Sequence, residues 1–416
     1  MPTTPSASTL PTLPFTGVVV LDLTQIYNGP YATFLMAQAG ATVIKIEPPG
    51  GGHLRKRDRS KGVTEPFAML NANKRCITLD LKCSAGVALL LEMAVGADVI
   101  VQNFAPGVMD RLGLDEATLR RANPALIIAS GSGYGSTGPY RDYPAMDLTV
   151  QAMSGVMAVT GNAGEPPVKA GPAVCDFFGG IHLYGAIVTA LYRRATTGEA
   201  ATVEVSMMSS VFPSLLSNLG MATRGAKTTA RTGNRHGGLT MSPYNVYPTS
   251  DGAIAILSVS EPHWRAIASV LGHSEWCDDA RFANKTARIR HMEEVDAMIG
   301  RETVQYGKAE LFERLVRARV PCAPVRELPE VINDPHLHES GMLKWRDHPE
   351  FGEVLTHGSP LEFKGEKPAA YRPSSRLGAD TQEVLGGMFG LDAARIAALG
   401  RQGAFAAEAA GSQHVD

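Results

Sequence analysis

The sequence predicts an α/β protein with a Rossmann-like, doubly wound large domain and a smaller α+β domain. Short β-branched runs alternate with amphipathic helical segments through the first half of the chain, which is typical of βαβ units and a parallel sheet. A hairpin signal and three helical segments follow after residue 236. The length of 416 residues also exceeds what one hydrophobic core usually serves, so two domains are expected.

The large domain begins with the run VVVLDLT, a buried strand, after which Gly29-Pro30 opens a helix that Gly40 closes. The remaining elements follow from the same periodicities. The predicted strands are residues 17–24, 41–47, 75–81, 97–104, 125–130 and 201–206. The predicted helices are residues 29–38, 85–95, 116–122, 144–160, 178–194 and 207–221.

Changes in composition set the domain bounds. The run RGAKTTARTGN is polar and without periodicity, which indicates a linker at residues 223–236 between the N-terminal part of the large domain, residues 14–222, and the small domain, residues 237–327. In the small domain, Asp251-Gly252 joins two strands, and helices at 262–271, 284–299 and 309–319 precede an extended segment. Residues 328–403 are expected to return to the large domain and pack on it, before a tail at 404–416.

Composition also argues against several classes of function. A formal charge of −2 gives no basic excess for binding nucleic acid. The five cysteines are scattered without CxxC spacing, which indicates reduced thiols in a cytoplasmic protein. The N-terminal run lacks the features of a signal peptide, and no apolar run approaches the length of a membrane span, so no membrane partner is expected. The histidines of DPHLHES have no evident third and fourth ligands, so no metal is predicted.

Ligands of doubly wound sheets bind beyond the carboxyl ends of the strands, which selects the loops at residues 25–30, 48–57, 103–107 and 131–135. In the second loop, three glycines precede Arg55, Lys56 and Arg57. Backbone access beside cations suits a phosphate, although a solvated turn has the same composition. The spacing of Gly131, Gly133 and Gly135 is GxGxG after the fifth strand. A dinucleotide fingerprint requires GxGxxG after the first strand, so nicotinamide chemistry is not expected.

Asp176 stands just before the helix predicted at 178–194 and has two interpretations. As an N-cap, it accepts a hydrogen bond from an early helix N–H. As a nucleophile, it is a carboxylate that a helix N-terminus holds ionised, with Gly179 and Gly180 letting a ligand approach the backbone. Cys175 is a competing nucleophile, but nothing near it in sequence lowers the pKa of its thiol, and packing is the simpler interpretation.

Eight runs carry a resemblance when they are taken together in chain order. They are VVVLDLTQIYNGPYAT, GATVIKIEPPGGG, NANKRCITLDLK, ADVIVQNFAPGVMDRLGL, NPALIIASGSGYG, the block around Asp176, PCAPVRE and LGADTQEVL. The chain thereby resembles the class III CoA-transferases, the CaiB/BaiF type that includes formyl-CoA transferase. The resemblance implies an interlocked homodimer, transfer of CoA from an acyl-CoA to a free carboxylic acid, and Asp176 as the residue that carries the acyl group. It implies no permanently bound cofactor, since the CoA thioester is a substrate.

The resemblance also implies the residues of the site. CoA contacts fall on Tyr27, Asn28, Leu79, Lys82, Asn103, Phe104, Ala105, Arg111, Gly133 and Tyr134. Gln25 faces the substrate, and the backbone around it suits an oxyanion. A glycine loop that closes over the intermediates corresponds to His236, Gly237 and Gly238, with fewer glycines than formyl-CoA transferase has. Ser132 stands where some members carry a lysine that contacts a CoA phosphate.

Two other functions fit the same resemblance. An α-methylacyl-CoA racemase moves a proton with an aspartate and a histidine, and in the racemases that histidine precedes the aspartate matching Asp147; here Met146 takes its place. A CoA-binding protein without chemistry would use Asp176 as a cap alone. For a transferase, the cluster of Arg231, Arg235, His236 and Tyr244 suits a second carboxylate, which favours a dicarboxylic acid or succinyl-CoA.

Overall fold

The computed structural model describes residues 13–57, 64–225 and 231–405. The described residues of Met1–Val150, Pro172–Val211 and Pro335–Asp416 form one compact unit, and those of Gln151–Gly171 and Phe212–Asp334 form another. These bounds differ from the expected ones at residues 151–171, 212–222 and 328–334, which belong to the second unit. For residues 151–171 the reason is local pairing: Gly233 N–H donates to Gly161 O at 3.0 Å, and Arg231 donates to Ala158 O at 3.3 Å.

The first unit contains most of the regular elements. In chain order to residue 211 they are β1 (Val19–Asp22), α1 (Asn28–Gln38), β2 (Thr42–Glu47), α2 (Glu65–Asn71), β3 (Lys74–Thr78), α3 (Ser84–Val95), β4 (Val99–Gln102), α4 (Val108–Arg111), α5 (Glu116–Ala122), β5 (Ile127–Ser132), α6 (Asp147–Ser154), α7 (Val156–Val159), α8 (Val174–Thr197), β6 (Thr202–Ser206) and α9 (Met207–Val211). Of these, α7 and the last turn of α6 fall in the second unit.

The rest of the chain completes both units. The later elements of the second unit are α10 (Leu216–Thr223), β7 (Tyr244–Thr249), β8 (Gly252–Leu257), α11 (Glu261–Val270), α12 (Lys285–Arg290), α13 (Met292–Thr303), α14 (Lys308–Arg317), β9 (Cys322–Pro324) and α15 (Leu328–Ile332). The chain then returns to the first unit as α16 (Pro335–Glu339), the antiparallel strands β10 (Leu343–His348) and β11 (Gly352–His357), a π-helix (Glu383–Met388) and α17 (Ala393–Arg401).

Six parallel strands form the sheet of the first unit, in the order β3-β2-β1-β4-β5-β6. This is the doubly wound order, and its switch point lies between β1 and β4. Alternate residues serve opposite faces: Leu21 and Ile44 pack with α3 and the C-terminal helices, whereas Val20 and Val43 pack with α1 and α8. The chain is therefore a mixed α/β protein with helices on both faces of the sheet.

Several predicted elements differ from the observed ones. The helix expected at 144–160 is broken at Gly155, where φ is 95°, and the helix expected at 207–221 is interrupted by a 3₁₀ turn at Phe212–Leu215. The strands β10 and β11 were not predicted. Ala404 and Phe405, assigned to a tail, are buried. The other tail residues, and part of the expected linker, lie outside the described residues.

The helix α8 is longer than predicted. At 24 residues it is long and apolar enough to meet the length and composition of a membrane span, contrary to the expectation that no such run exists. Leu183, Ile187 and Ala190 on one face pack with the sheet and α1. These contacts explain the apolar composition of α8, which forms part of the core of the first unit.

The second unit has its own core around an antiparallel sheet in the order β7-β8-β9. Trp264, Ile299 and Leu311 pack onto Tyr247 and Ile254. The predicted hairpin is present, but its two-residue turn is Ser250-Asp251 rather than Asp251-Gly252, because Gly252 begins β8 and pairs with Thr249. The unit is therefore a small α+β body.

Candidate active site

The loops that follow β1 and β4 meet at the switch point of the sheet. The side chain of Asn103 brackets the backbone of Gln25: its Oδ1 accepts from Gln25 N–H at 2.7 Å, and its Nδ2 donates to Gln25 O at 2.8 Å. The next residue, Ile26, has a φ of 63°. A β-branched residue in the left-handed region costs about 1–3 kcal/mol, so the surrounding structure must hold this turn in place.

A buried ionic network lies under the same loop. The Asp22 carboxylate accepts from Thr24 N–H at 2.9 Å and pairs with Lys45 at 3.3 Å and Lys74 at 3.1 Å. Lys45 also donates to the carbonyl of Thr24. Although burial alone raises it, the two ammonium groups hold the pKa of Asp22 well below its usual range. The network therefore fixes the chain immediately before Gln25.

Asp176 lies in the first turn of α8 and is not its N-cap, contrary to the first interpretation. The N-cap is Ala173, and the capping acceptor comes from Asp147, whose Oδ1 accepts from Cys175 N–H at 2.8 Å and from Asp176 N–H at 3.3 Å. Because Asp147 satisfies these donors, the Asp176 side chain is not needed for capping. No local pattern indicates this pairing, since Asp147 stands 29 positions before Asp176.

Two helix N-termini meet at Asp176. Asn28, the first residue of α1, donates from its side chain to Asp176 O at 3.4 Å, and its backbone N–H lowers the pKa of the Asp176 carboxyl. A Cβ added to Gly179 would lie 2.1 Å from Asn28 Nδ2, and one added to Gly180 would lie 2.6 Å from Asn28 O. These glycines permit the close approach of α1 and α8, rather than the approach of a ligand that was expected.

The sequence predicts that the helix N-terminus keeps the pKa of Asp176 low. The structure contradicts this expectation. Burial, followed by the nearby charge of Asp147, raises the pKa of Asp176 to about 7, and the N–H of Asn28 only partly opposes this. The residue is 7% exposed. Burial and the two carboxylates also raise the pKa of Cys175 to about 12, so its thiolate is scarce at neutral pH. Asp176 is therefore the better nucleophile of the two.

A cleft of about 660 Å³ opens above Asp176. It brings together eight of the predicted residues, namely Gln25, Asn28, Asn103, Phe104, Ala105, Gly133, Tyr134 and Asp176. It also contains lining residues that sequence reasoning missed, namely His53, Arg141, Tyr143 and Met207. Arg141 and Tyr143 lie in an irregular loop, where no periodicity indicates which side chains face a site.

A second cavity adjoins the first. It is lined by the predicted residues Leu79 and Lys82, while Gln25, Ile26, His53 and Phe104 line both cavities. Arg111 is not in either cavity and lies with Lys82 on a shallow hollow beside them. Tyr27 lines neither and stacks on Phe177, with ring centroids 5.9 Å apart. The structure therefore places most of the predicted CoA contacts along one continuous path and leaves these two residues off it.

Arg55 is not available to a phosphate. Its guanidinium pairs with Glu47 at 2.7 Å and lies over the ring of Phe67 at 4.0 Å. Both members of the ion pair are buried, so the cation serves the structure of the loop.

Ser132 also has a structural partner. Its hydroxyl donates to Glu204 at 3.2 Å and accepts from Gly135 N–H at 3.0 Å. These bonds fix the loop that contains Gly133 and Tyr134 in the cleft.

The predicted closing loop belongs to the second unit. His236 Nδ1 accepts from Gly238 N–H at 3.1 Å, and its ring meets that of Tyr244 edge-on at 5.5 Å. Gly237 packs beside Asn218, where a Cβ would lie 2.9 Å from the amide nitrogen. Arg235, expected to attract a carboxylate, is paired with Asp296 at 2.7 Å. The closing role of residues 236–238 stays a prediction.

No group of three or more His, Cys, Asp or Glu side chains suited to a metal ion occurs within residues 13–57, 64–225 and 231–405. Asp142 and Asp176 are the acidic residues that line the cleft, and Asp147 caps the helix that carries Asp176. The chemistry that this geometry supports is nucleophilic attack by a buried carboxylate, with backbone N–H groups nearby for a developing oxyanion.

The chain is similar to known proteins over most of its length. The chain matches the family described as CoA-transferase family III over residues 15–381. It is 36% identical over 366 residues to the acetyl-CoA:oxalate CoA-transferase of Acetobacter aceti, covering 87% of this chain and 92% of that protein. It is 33% identical over 383 residues to the succinate–glutarate CoA-transferase of Agrobacterium fabrum, covering 89% and 95%. A CAIB/BAIF family protein from Brucella suis matches with a TM-score of 0.80 at 29% identity, covering 90% of this chain and 99% of that one.

Proposed function

The chain belongs to CoA-transferase family III, and on that premise we propose that it moves CoA from an acyl-CoA to a free carboxylic acid through covalent intermediates on Asp176. The observation that carries the proposal is a buried carboxylate in the cleft, beside the first N–H of α1. A nucleophile so placed has both a protected setting and a donor for the oxyanion.

The steps balance without any other reactant. The Asp176 carboxylate attacks the thioester carbonyl, the C–S bond breaks, and CoA thiolate leaves a mixed anhydride. The thiolate then attacks the Asp176 carbonyl, which releases the first acid and leaves an aspartyl-CoA thioester. The second acid attacks that thioester carbonyl and expels the thiolate, giving a new mixed anhydride. Attack of the thiolate on the acyl carbonyl completes the new acyl-CoA and frees Asp176.

The two adjoining cavities support the CoA-binding part of the proposal. A CoA thioester is long, and an extended path ending at Asp176 fits it better than a single round pocket. The cavity lined by Leu79 and Lys82 would hold the far end of CoA, and the residues shared by both cavities would contact its arm.

We place the acids among the dicarboxylic acids, with succinyl-CoA as one donor. The names of the two relatives contain oxalate, succinate and glutarate. In this chain, Arg141 is the one arginine or lysine among the described residues that line the cleft. Its Nε bonds to Asp142 at 3.1 Å on an exposed surface, a pair too solvated to compete strongly with a bound carboxylate. Arg141 therefore replaces the cluster around Arg235 as the expected contact for the second carboxylate.

A racemase has less support. Met146 stands where the racemases have their catalytic histidine. Met146 lines the cleft, and its thioether cannot transfer a proton.

We also propose a cytoplasmic homodimer. Phe178, Ile181 and Tyr192 form an exposed stripe on α8, at 38%, 48% and 71% exposure, and a second copy of the chain would cover it. The five cysteines are free, which suits a reducing compartment. Sedimentation of the purified chain tests the dimer, and a monomer at micromolar concentration would contradict it.

Isotope exchange tests the function. The chain is mixed with succinyl-CoA and labelled glutarate, and the appearance of labelled glutaryl-CoA supports transfer. Loss of an α-proton from a branched acyl-CoA without label exchange would support the racemase. Binding of acyl-CoA with neither exchange would leave a CoA-binding protein, and either of the last two results contradicts the proposal.

A further inference from the structure

We propose that Asn103 and the left-handed turn at Ile26 act together as a positioning device, the Gln25 clamp, that aims the backbone N–H groups of residues 26–28 at the reacting carbonyl. The proposal rests on the transfer reaction proposed above. It assigns Asn103 to the loop, whereas the family resemblance assigned it to CoA.

The first observation is that both polar atoms of the Asn103 amide are already used. They bond to the N–H and the carbonyl of Gln25 at 2.7 and 2.8 Å. The last backbone bond between the two strands is Leu23 N–H to Val101 O at 2.9 Å. The Asn103 amide therefore continues the pairing of β1 with β4 beyond the end of the strands, as another peptide group would.

The second observation is that this turn requires a clamp. Ile26 has a φ of 63°, and a β-branched residue adopts that conformation only when its neighbours fix it. On the N-terminal side, Asp22 and Lys45 hold the N–H and carbonyl of Thr24. On the C-terminal side the chain folds back tightly, since a Cβ on Gly29 would lie 2.2 Å from Thr24 Cγ2. Asn103 adds a further constraint, which acts on the residue directly before Ile26.

The consequence concerns the nucleophile. Asn28 contacts Asp176 directly, since its side-chain amide donates to Asp176 O at 3.4 Å, and its backbone N–H lowers the pKa of the Asp176 carboxyl. The path from Ile26 to Asn28 therefore decides where that N–H points. If Ile26 returned to a negative φ, the peptide groups after it would rotate and their N–H groups would leave the cleft. Such a loss affects the transition state, in which the oxyanion develops, more than it affects ground-state binding.

The test combines Asn103→Ala with Ile26→Gly. Asn103→Ala is expected to lower kcat by about 10- to 100-fold, with KM for acyl-CoA changed by less than about threefold. Glycine adopts a φ near 60° without steric cost, so adding Ile26→Gly to Asn103→Ala is expected to recover about tenfold in kcat. The matched control is Asn123→Ala, which removes an amide that bonds to Ala94 O and Ala97 O at 2.9 and 3.0 Å away from the cleft. It is expected to lower Tm and leave kcat unchanged.

Two results would overturn the clamp. A raised KM at unchanged kcat in Asn103→Ala would return Asn103 to the CoA contacts. A fall in kcat that Ile26→Gly does not relieve would show that Asn103 does not act through the turn at Ile26.

Amide hydrogen exchange of a peptide covering residues 23–28, without any substrate, keeps the test independent of the reaction. Faster exchange in Asn103→Ala than in the unmodified chain supports the clamp, and equal rates contradict it. If the unmodified chain shows no transfer, the proposed function is wrong. The exchange rates still show whether Asn103 holds the loop in place.

Discussion

The carboxylate of Asp147 caps the start of the helix that carries Asp176. Its Oδ1 lies 2.8 Å from Cys175 N and 3.3 Å from Asp176 N, and its charge is the second cause, after burial, of the raised pKa of Asp176. One side chain thus influences both the position and the protonation of the proposed nucleophile. A variant that separates these two effects can therefore test each.

We predict that kcat/KM rises with pH through about 7, because the ionised form of Asp176 is the one that attacks, and its pKa is raised to about 7. Asp147→Asn keeps an oxygen for the two N–H donors but removes the charge, so the midpoint of this rise is expected to move to lower pH. An unmoved midpoint would contradict the coupling. Asp115→Asn, at the N-cap of α5, is the control because it changes another capping carboxylate, which accepts from Thr118 N–H at 2.9 Å, and the midpoint should stay in place.

We predict that Gly179→Ala disrupts the contact of α1 with α8, since the added Cβ would lie 2.1 Å from Asn28 Nδ2. Such overpacking costs about 1–3 kcal/mol in the free energy of unfolding, and the displaced Asn28 should lower kcat as well. The control is Gly220→Ala on the exposed face of α10, where a Cβ meets nothing within 4 Å and stability should rise slightly. Denaturation midpoints and exchange rates of both variants provide the measurement, and equal behaviour would contradict the packing argument.

The six-stranded sheet could be predicted from the sequence, because β-branched runs and helical periodicity are local signals. Asp176 is selected as the candidate nucleophile by the family resemblance, since its local sequence fits a helix cap equally well. The α5 helix matches its predicted bounds of 116–122. Asp147, Arg141 and the bonds of Asn103 could not be predicted, since they depend on which loops the sheet brings together. For the same reason neither interpretation of Arg55, a phosphate contact or a solvated turn, matches the observed ion pair: its partner, Glu47, ends the preceding strand, and burial of the pair is a tertiary property.

We predict that Asp22→Asn lowers the free energy of unfolding by about 3–5 kcal/mol at pH 7, because Lys45 and Lys74 would keep buried charges without a counterion. The native pKa of Asp22 is depressed, so its stabilisation is complete above the unfolded-state value of about 4 and is lost as the pH falls below it. The difference between the two proteins should therefore shrink below pH 4. Glu313→Gln breaks the exposed pair with Arg317, at 3.2 Å, and should cost less than about 1 kcal/mol. Equal losses in the free energy of unfolding for the two variants would contradict this prediction.

We predict that Arg141→Gln raises KM for glutarate and succinate about tenfold or more and leaves KM for a monocarboxylic acid within about twofold, because a charge-assisted bond to the second carboxylate is lost. An equal rise for all acyl-CoA donors would instead assign Arg141 to a CoA phosphate. Arg193→Gln removes an exposed arginine that pairs with Glu199 at 2.6 Å at the far end of α8, and no substrate constant should change.

The most direct measurement is to trap the intermediate. The chain is mixed with labelled succinyl-CoA, quenched within one turnover, digested and mapped by mass spectrometry, alongside Asp176→Ala with its folding checked by circular dichroism. The account predicts a label on the peptide that contains Asp176, and none on the folded variant. A label on another peptide, or label exchange that persists in Asp176→Ala, would contradict it.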